Sequence, residues 1–145
     1  MINWLHSRVF RPEKGWDPVS PQYVAQYAES EWKTGASEDL IAQLEKWLEG
    51  LQGKTVLDLG GGPGHYSIAF AKRGARVTWH DVSERYRQFA RAKAEEAGVD
   101  VSFSLGYMDE ASRLLGEQFD CVFNRICWNY GRGDASFARV IYSLV

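Results

Sequence analysis

Val56-Leu57-Asp58-Leu59 runs directly into Gly60-Gly61-Gly62-Pro63-Gly64, and a second acid, Asp81, follows another short apolar run. Glycines without side chains let a backbone approach a ligand closely, and a helix opening just beyond them presents N–H groups to it. A carboxylate on the neighbouring strand can accept hydrogen bonds from two adjacent hydroxyls. Strand, glycine turn, helix and a second acid are together what a nucleotide-type cofactor requires. Asp58 admits two readings: it fixes the turn through backbone hydrogen bonds, or it lies beside the cofactor.

The elements that must position these residues can be read from the hydrophobic periodicity. Pro12, Gly15 and Pro18 mark an irregular arm, and Ser20-Pro21 is a helix start with a capping serine and proline at the first turn. A second helix opens at Ser37-Glu38-Asp39 and carries Leu40, Ile41, Leu44, Trp47 and Leu48 at helical spacing before Gly50 stops it. Residues 1–52 are therefore expected to form an arm and a helical cap, and 53–145 a cofactor-binding core. In the core, strands over Thr55–Leu59, Arg76–His80, Val99–Leu105 and Phe119–Asn124 alternate with helices over Gly64–Arg73, Ser83–Ala97 and Asp109–Leu115, with a last helix from Asp134. That alternation predicts parallel β-α-β units in a doubly wound α/β sheet.

A dinucleotide fingerprint wants glycine at the first, third and sixth positions of its turn. Counted from Gly60 the sixth residue is His65, and from Gly62 it is Ser67. The chain has Gly60, Gly62 and Gly64 instead, and with Val56-Leu57-Asp58-Leu59 before it this resembles the first motif of the class I S-adenosylmethionine-dependent methyltransferases. The resemblance covers roughly residues 54 to 145 and implies a Rossmann-like sheet of order 3-2-1-4 with S-adenosyl-L-methionine as cofactor. It implies that Asp58, Gly60, Gly61, Gly62 and Gly64 border the cofactor, that Asp81 holds the ribose, and that Val82 packs on the adenine. After strand three the family often has Gly-Asp-aliphatic, whereas this chain has Gly106-Tyr107-Met108-Asp109, so Tyr107 stands where the adenine-contacting acid is usual: either Tyr107 caps the adenine edge or Asp109 reaches in, with Met108 also bordering the cofactor. Asn124, ending strand four, is implied to lie beside the methionine part. The Pro-Pro-aromatic signature of the amine- and nucleic-acid-modifying branches is absent from Asn124-Arg125-Ile126-Cys127. His65 reads as a structural residue ahead of a base, and no catalytic residue is assigned.

A complete class I core has seven strands, so the resemblance further implies a C-terminally truncated chain, or one that completes its sheet with another copy or chain. Strand four would then have an open apolar edge. At 145 residues with 45% apolar and 25% charged content the chain has the composition of one ordinary globular domain. A net charge of −2 with scattered basic residues argues for a small-molecule acceptor over nucleic acid. No apolar run nears the roughly 20 residues of a membrane span, and no signal peptide is evident, so a cytoplasmic protein is expected. Cys121 and Cys127 lack metal-ligand spacing, so no metal is expected. The function expected is transfer of a methyl group to a small molecule. The rivals are a non-catalytic cofactor-binding fragment and a nicotinamide-dependent oxidoreductase.

Overall fold

The computed structural model describes Asp17, residues 19–131 and residues 133–145. The arm expected before Asp17 lies outside the described residues. Four parallel strands, β1 (Thr55–Leu59), β2 (Arg76–Asp81), β3 (Val101–Leu105) and β4 (Cys121–Phe123), form one sheet in the order β3-β2-β1-β4. This is the sheet order expected from the sequence. β1 is central, and its alternate residues are all buried: Val56 packs under one face of the sheet, Leu57 and Leu59 under the other. A strand buried on both faces reads as a continuous apolar run, which is why Asp58 stands out within it.

Helix α1 (Pro21–Thr34) starts as expected, with Ser20 Oγ accepting the Tyr23 amide at 3.2 Å. Helix α2 (Glu38–Leu48) is capped by Ser37 and buries Ile41 and Leu44 against Val56, Phe70 and Val77. Its stop differs by one residue from expectation, because Glu49 itself takes the left-handed conformation at φ 57° and Gly50 follows at φ 99°. Helix α3 (His65–Ala71) opens from Gly64 and is shorter at its end than the periodicity suggested. Helix α4 (Glu84–Ala97) runs from a Ser83 cap to Gly98, as expected.

β3 begins two residues later than expected, and β4 is confined to three residues. Among the described residues no strand flanks β4 on its far side, and Asp120 there accepts from both the amide and the hydroxyl of Thr55, at 2.7 and 2.9 Å. A 3₁₀ turn, Met108–Glu110, leads into α5 (Ala111–Leu115), and α6 (Asp134–Tyr142) packs Phe137 against the Leu57–Leu59 face. Leu144 closes the same cluster, and its carbonyl accepts the Phe119 amide at 2.7 Å.

Candidate functional site

The glycine turn and Asp81 lie together at the carboxyl ends of β1 and β2, the position at which open α/β sheets bind ligands. Gly60, Gly62 and Gly64 have φ of 82°, 47° and 79°, a region that a side chain disfavours. Gly61 is required for a different reason. A Cβ there would lie 2.3 Å from the indole of Trp79, which sits beneath the turn and donates Nε1–H to the Gly62 carbonyl at 3.1 Å.

The turn amides are not bare, which corrects the expectation that they face a ligand. Gly60 and Gly61 both donate to the His80 carbonyl, at 2.7 and 3.2 Å, and Gly64 donates to the Gly61 carbonyl at 2.9 Å. Gly62 donates to Asp81 Oδ2 at 3.0 Å. Asp81 Oδ1 accepts the Ser83 amide at 2.9 Å, and Ser83 Oγ in turn caps α4. Asp81 is thus both the acid beside the turn and a support for the next helix. The Val82 amide also donates to this carboxylate, which keeps accepting capacity for an outside hydroxyl.

Two acids lie here without a basic partner described for either, Asp58 buried and Asp81 half-buried. Asp58 is 4% exposed, and its described hydrogen bond is from Ser67 Oγ at 2.6 Å, which ties α3 to β1. Burial pushes its carboxyl up to about 6, against the Ser67 bond that lowers it, and the nearby Asp81 charge adds to the rise. Asp81 is raised too, chiefly by burial, while the Ser83 and Gly62 amides oppose the shift. Two neighbouring carboxylates without a described counter-cation favour a cationic ligand, so the donor set fits a sulfonium-bearing nucleoside.

At the end of β4, Asn124 Nδ2 donates to the Leu59 carbonyl at 2.6 Å and lies 3.0 Å from Cys127 Sγ and 3.6 Å from Met108 Sδ. A Cβ on Gly60 would come within 2.4 Å of that same Cys127 sulfur and 3.1 Å of Met108 Sδ. Asn124, Met108 and Cys127 therefore converge on the turn at Gly60. Cys127 was not among the residues singled out, and neither periodicity nor spacing marks it. Burial pushes its thiol up to about 12, with the Asp81 charge adding to this, so the sulfur is a neutral wall and not a nucleophile. The chain reaches this position through Ile126, exposed and at φ 64°, an unusual conformation for a β-branched residue.

Val82 and Tyr107 are half-buried beside Asp81 and beyond β3. The Tyr107 carbonyl lies 3.3 Å from His80 Nε2, and His80 Nδ1 lies 3.0 Å from Ser104 Oγ, so a wholly buried imidazole braces β2 against β3. The aromatic residues after β4 and on α1 divide into two groups. Trp128 packs edge-on to Phe137 at 4.9 Å, whereas Tyr23 and Tyr130 are more than half exposed, and Tyr23 stacks on Tyr27 at 5.7 Å.

Contacts from the cap reach the turn. Trp32 Nε1 donates to the Pro63 carbonyl at 2.9 Å, and Asp17 accepts from Ser83 Oγ and the Arg85 amide at 3.0 and 2.8 Å. Glu31 lies 3.5 Å from His65 Nε2 and 3.9 Å from Arg125. Among the described residues no helix is long and apolar enough to cross a membrane, and no group of His, Cys, Asp and Glu could hold a metal ion.

A family model described as a methyltransferase domain matches residues 56–144. A ubiquinone biosynthesis O-methyltransferase of Pseudomonas paraeruginosa is 36% identical over 102 residues, covering 68% of this chain and 44% of that protein. One of the same name from an Azoarcus species is 31% identical over 113 residues, covering 73% and 48%. The chain spans somewhat less than half the length of these relatives. Magnesium protoporphyrin IX methyltransferase of Synechocystis, solved with bound S-adenosylmethionine, superposes with a TM-score of 0.62 at 20% identity, over 99% of this chain and 65% of that one. A methyltransferase of Thiobacillus denitrificans, solved with S-adenosyl-L-homocysteine, gives 0.57 at 24%, over 99% and 50%. These two likenesses establish the fold. The matched segment takes in the glycine turn, Asp81 and the end of β4, and the chain belongs to the methyltransferase-domain family of S-adenosyl-L-methionine-dependent enzymes.

Proposed function

We propose that this chain binds S-adenosyl-L-methionine at the glycine turn and transfers its methyl group to the hydroxyl of a small molecule. The observation that carries the reading is the pair of acids, buried Asp58 and half-buried Asp81, set beside a turn in which a side chain at Gly60, Gly61 or Gly64 would clash. When bound, the cofactor supplies a methyl group already activated by the sulfonium charge. The chain's own contribution is to bind, orient and exclude water.

Asp81 offers its remaining accepting capacity to the ribose hydroxyls, and Val82 and Tyr107 border the adenine. Gly60, Gly61, Gly62 and Gly64 keep the turn close to the ligand, with Met108 and Asn124 bordering the methionine side. Asp58 adds negative charge behind the turn and holds α3 in place through Ser67. The hydroxyl acceptor is supported by the names of the relatives, which are O-methyltransferases. The family match also weighs against a nicotinamide cofactor, whose glycine spacing the turn lacks.

Calorimetric titration with S-adenosyl-L-homocysteine and, separately, with NADH tests the reading. Saturable binding of the former and none of the latter is expected. Binding of NADH alone would overturn it.

A further inference from the structure

His65 is the residue at the site that the structure leaves least explained. Its side chain is 9% exposed, yet neither ring nitrogen has a hydrogen-bond partner. Burying imidazole polar atoms without partners costs free energy, about 1–3 kcal/mol for a group left unsatisfied. Three elements surround it. From α1, Glu31 Oε2 stands 3.5 Å from Nε2; from the segment after β4, Arg125 stands 3.9 Å from the same carboxylate; from α3 itself, the Tyr66 ring packs at 4.7 Å. Arg125 also lies over the Tyr66 ring at 5.3 Å, and the Tyr66 hydroxyl accepts the Ser37 amide at 3.1 Å. Tyr27, on the same helix as Glu31, senses both Glu31 and Arg125.

We infer that His65 accepts the proton of the hydroxyl acceptor, and that Glu31 of the cap steadies the imidazolium that results. The inference rests on the methyl-transfer reading. The hydroxyl oxygen forms a bond to the methyl carbon, the carbon–sulfur bond breaks with its electron pair going to sulfur, and the hydroxyl proton passes to an imidazole nitrogen of His65. Burial holds His65 below the ordinary imidazole value, opposed by Glu31 and reinforced by Arg125, so the ring is neutral and ready to accept near neutral pH. An imidazole is a competent base toward an aryl hydroxyl of pKa about 10.

Phenol is the probe, with S-adenosyl-L-homocysteine to fill the cofactor site in binding experiments. The chain has three histidines, so His65 ring signals can be assigned by comparison with His65→Gln. His65 is expected to titrate below an ordinary histidine, and lower still in Glu31→Gln, which removes the opposite charge. Phenol added to the homocysteine-saturated chain is expected to shift the His65 ring signals. Methyl transfer to phenol should rise with pH through the same titration, and that limb should move to lower pH in Glu31→Gln. In His65→Gln the limb should vanish and kcat fall by about a hundredfold or more. His65→Ala should regain rate with added imidazole.

Affinity for S-adenosyl-L-homocysteine should stay within about threefold in all variants, which separates loss of the base from loss of the cofactor site. Ring signals unmoved by phenol, a His65→Gln enzyme that keeps its rate and pH limb, or no transfer to phenol by a chain that binds the homocysteine would each overturn the inference. Failure of the wild-type chain to bind S-adenosyl-L-homocysteine would defeat the methyl-transfer reading beneath it.

Discussion

Asp81 reaches from the end of β2 to the amide of Gly62, 3.0 Å away, and so ties the glycine turn to the neighbouring strand. The same carboxylate supports Ser83 at the head of α4. A residue with both tasks cannot be removed without cost to the fold. Asp81→Ala is therefore expected to lower the melting temperature as well as weaken the cofactor. Loss of charge-assisted hydrogen bonds to ligand hydroxyls is worth about 1.5–3 kcal/mol, or roughly a ten- to hundredfold rise in Kd for S-adenosyl-L-homocysteine. Asp81→Asn retains one accepting oxygen and should melt closer to wild type while still binding more weakly. Calorimetry paired with thermal melts separates the two effects; an unchanged Kd in both variants would remove Asp81 from the ribose.

The buried Asp58 carboxyl makes stability depend on pH in a direction opposite to that of a salt-bridged acid. Its folded value, near 6, lies above the unfolded value of 3.8, so the folded state binds the extra proton between them. The unfavourable contribution of the ionised form is fully present above about pH 6 and is relieved as the pH falls toward 4. Asp58→Asn, which keeps an oxygen for Ser67 Oγ, should flatten the decline in stability between pH 4 and 6 seen by denaturant melts, and raise stability at pH 7 by up to a few kcal/mol. Ser67→Ala should do the reverse. It strips the carboxylate of that hydrogen bond and is expected to cost about 1–3 kcal/mol at pH 7.

These residues show how much was legible beforehand. The strand-turn-helix pattern, the Ser20, Ser37 and Ser83 caps and the 3-2-1-4 order follow from local signals, namely hydrophobic periodicity, capping residues and the right-handed crossover. What local signals lack is the direction of a hydrogen bond between distant segments. The turn amides were expected to be open, but the His80 carbonyl and Asp81 take three of them, a result of strand register that no motif encodes. The convergence of Cys127 on Gly60, and of Glu31 and Arg125 on His65, likewise depends on how the cap and the segment after β4 come to rest on the sheet.

Gly61 offers a steric test of the turn free of backbone strain, because its φ is not in the left-handed region. Gly61→Ala places a methyl group 2.3 Å from the Trp79 indole, which is itself wholly buried and bonded to the Gly62 carbonyl. The ring has no free space to retreat into, so the turn must lift. Overpacking of this kind costs about 1–3 kcal/mol. The expected signature is a lower denaturant midpoint with an unchanged slope, accompanied by a shift of the Trp79 indole N–H resonance as its bond to Gly62 lengthens. A variant as stable as wild type would mean that the indole does not lie beneath the turn.

The tie between cap and turn can be cut with little other damage. Trp32 donates its indole N–H to the Pro63 carbonyl, and its ring packs against Phe89 and beneath the Lys93 ammonium. Trp32→Phe keeps an aromatic ring for both neighbours and removes only the donor, leaving a carbonyl at the turn without that hydrogen bond. The expected loss is about 0.5–1.5 kcal/mol in global stability. The larger effect should be local: α1 buries only Val24 and Ala28, so its hold on the sheet leans on polar contacts such as this one and those of Glu31. Amide hydrogen exchange should therefore speed up over 21–34 more than over β1 or β2, since weakly buried elements open independently of the core. Equal acceleration across the whole chain would show that the cap and the sheet unfold as one unit and that this bond is one among many holding them together.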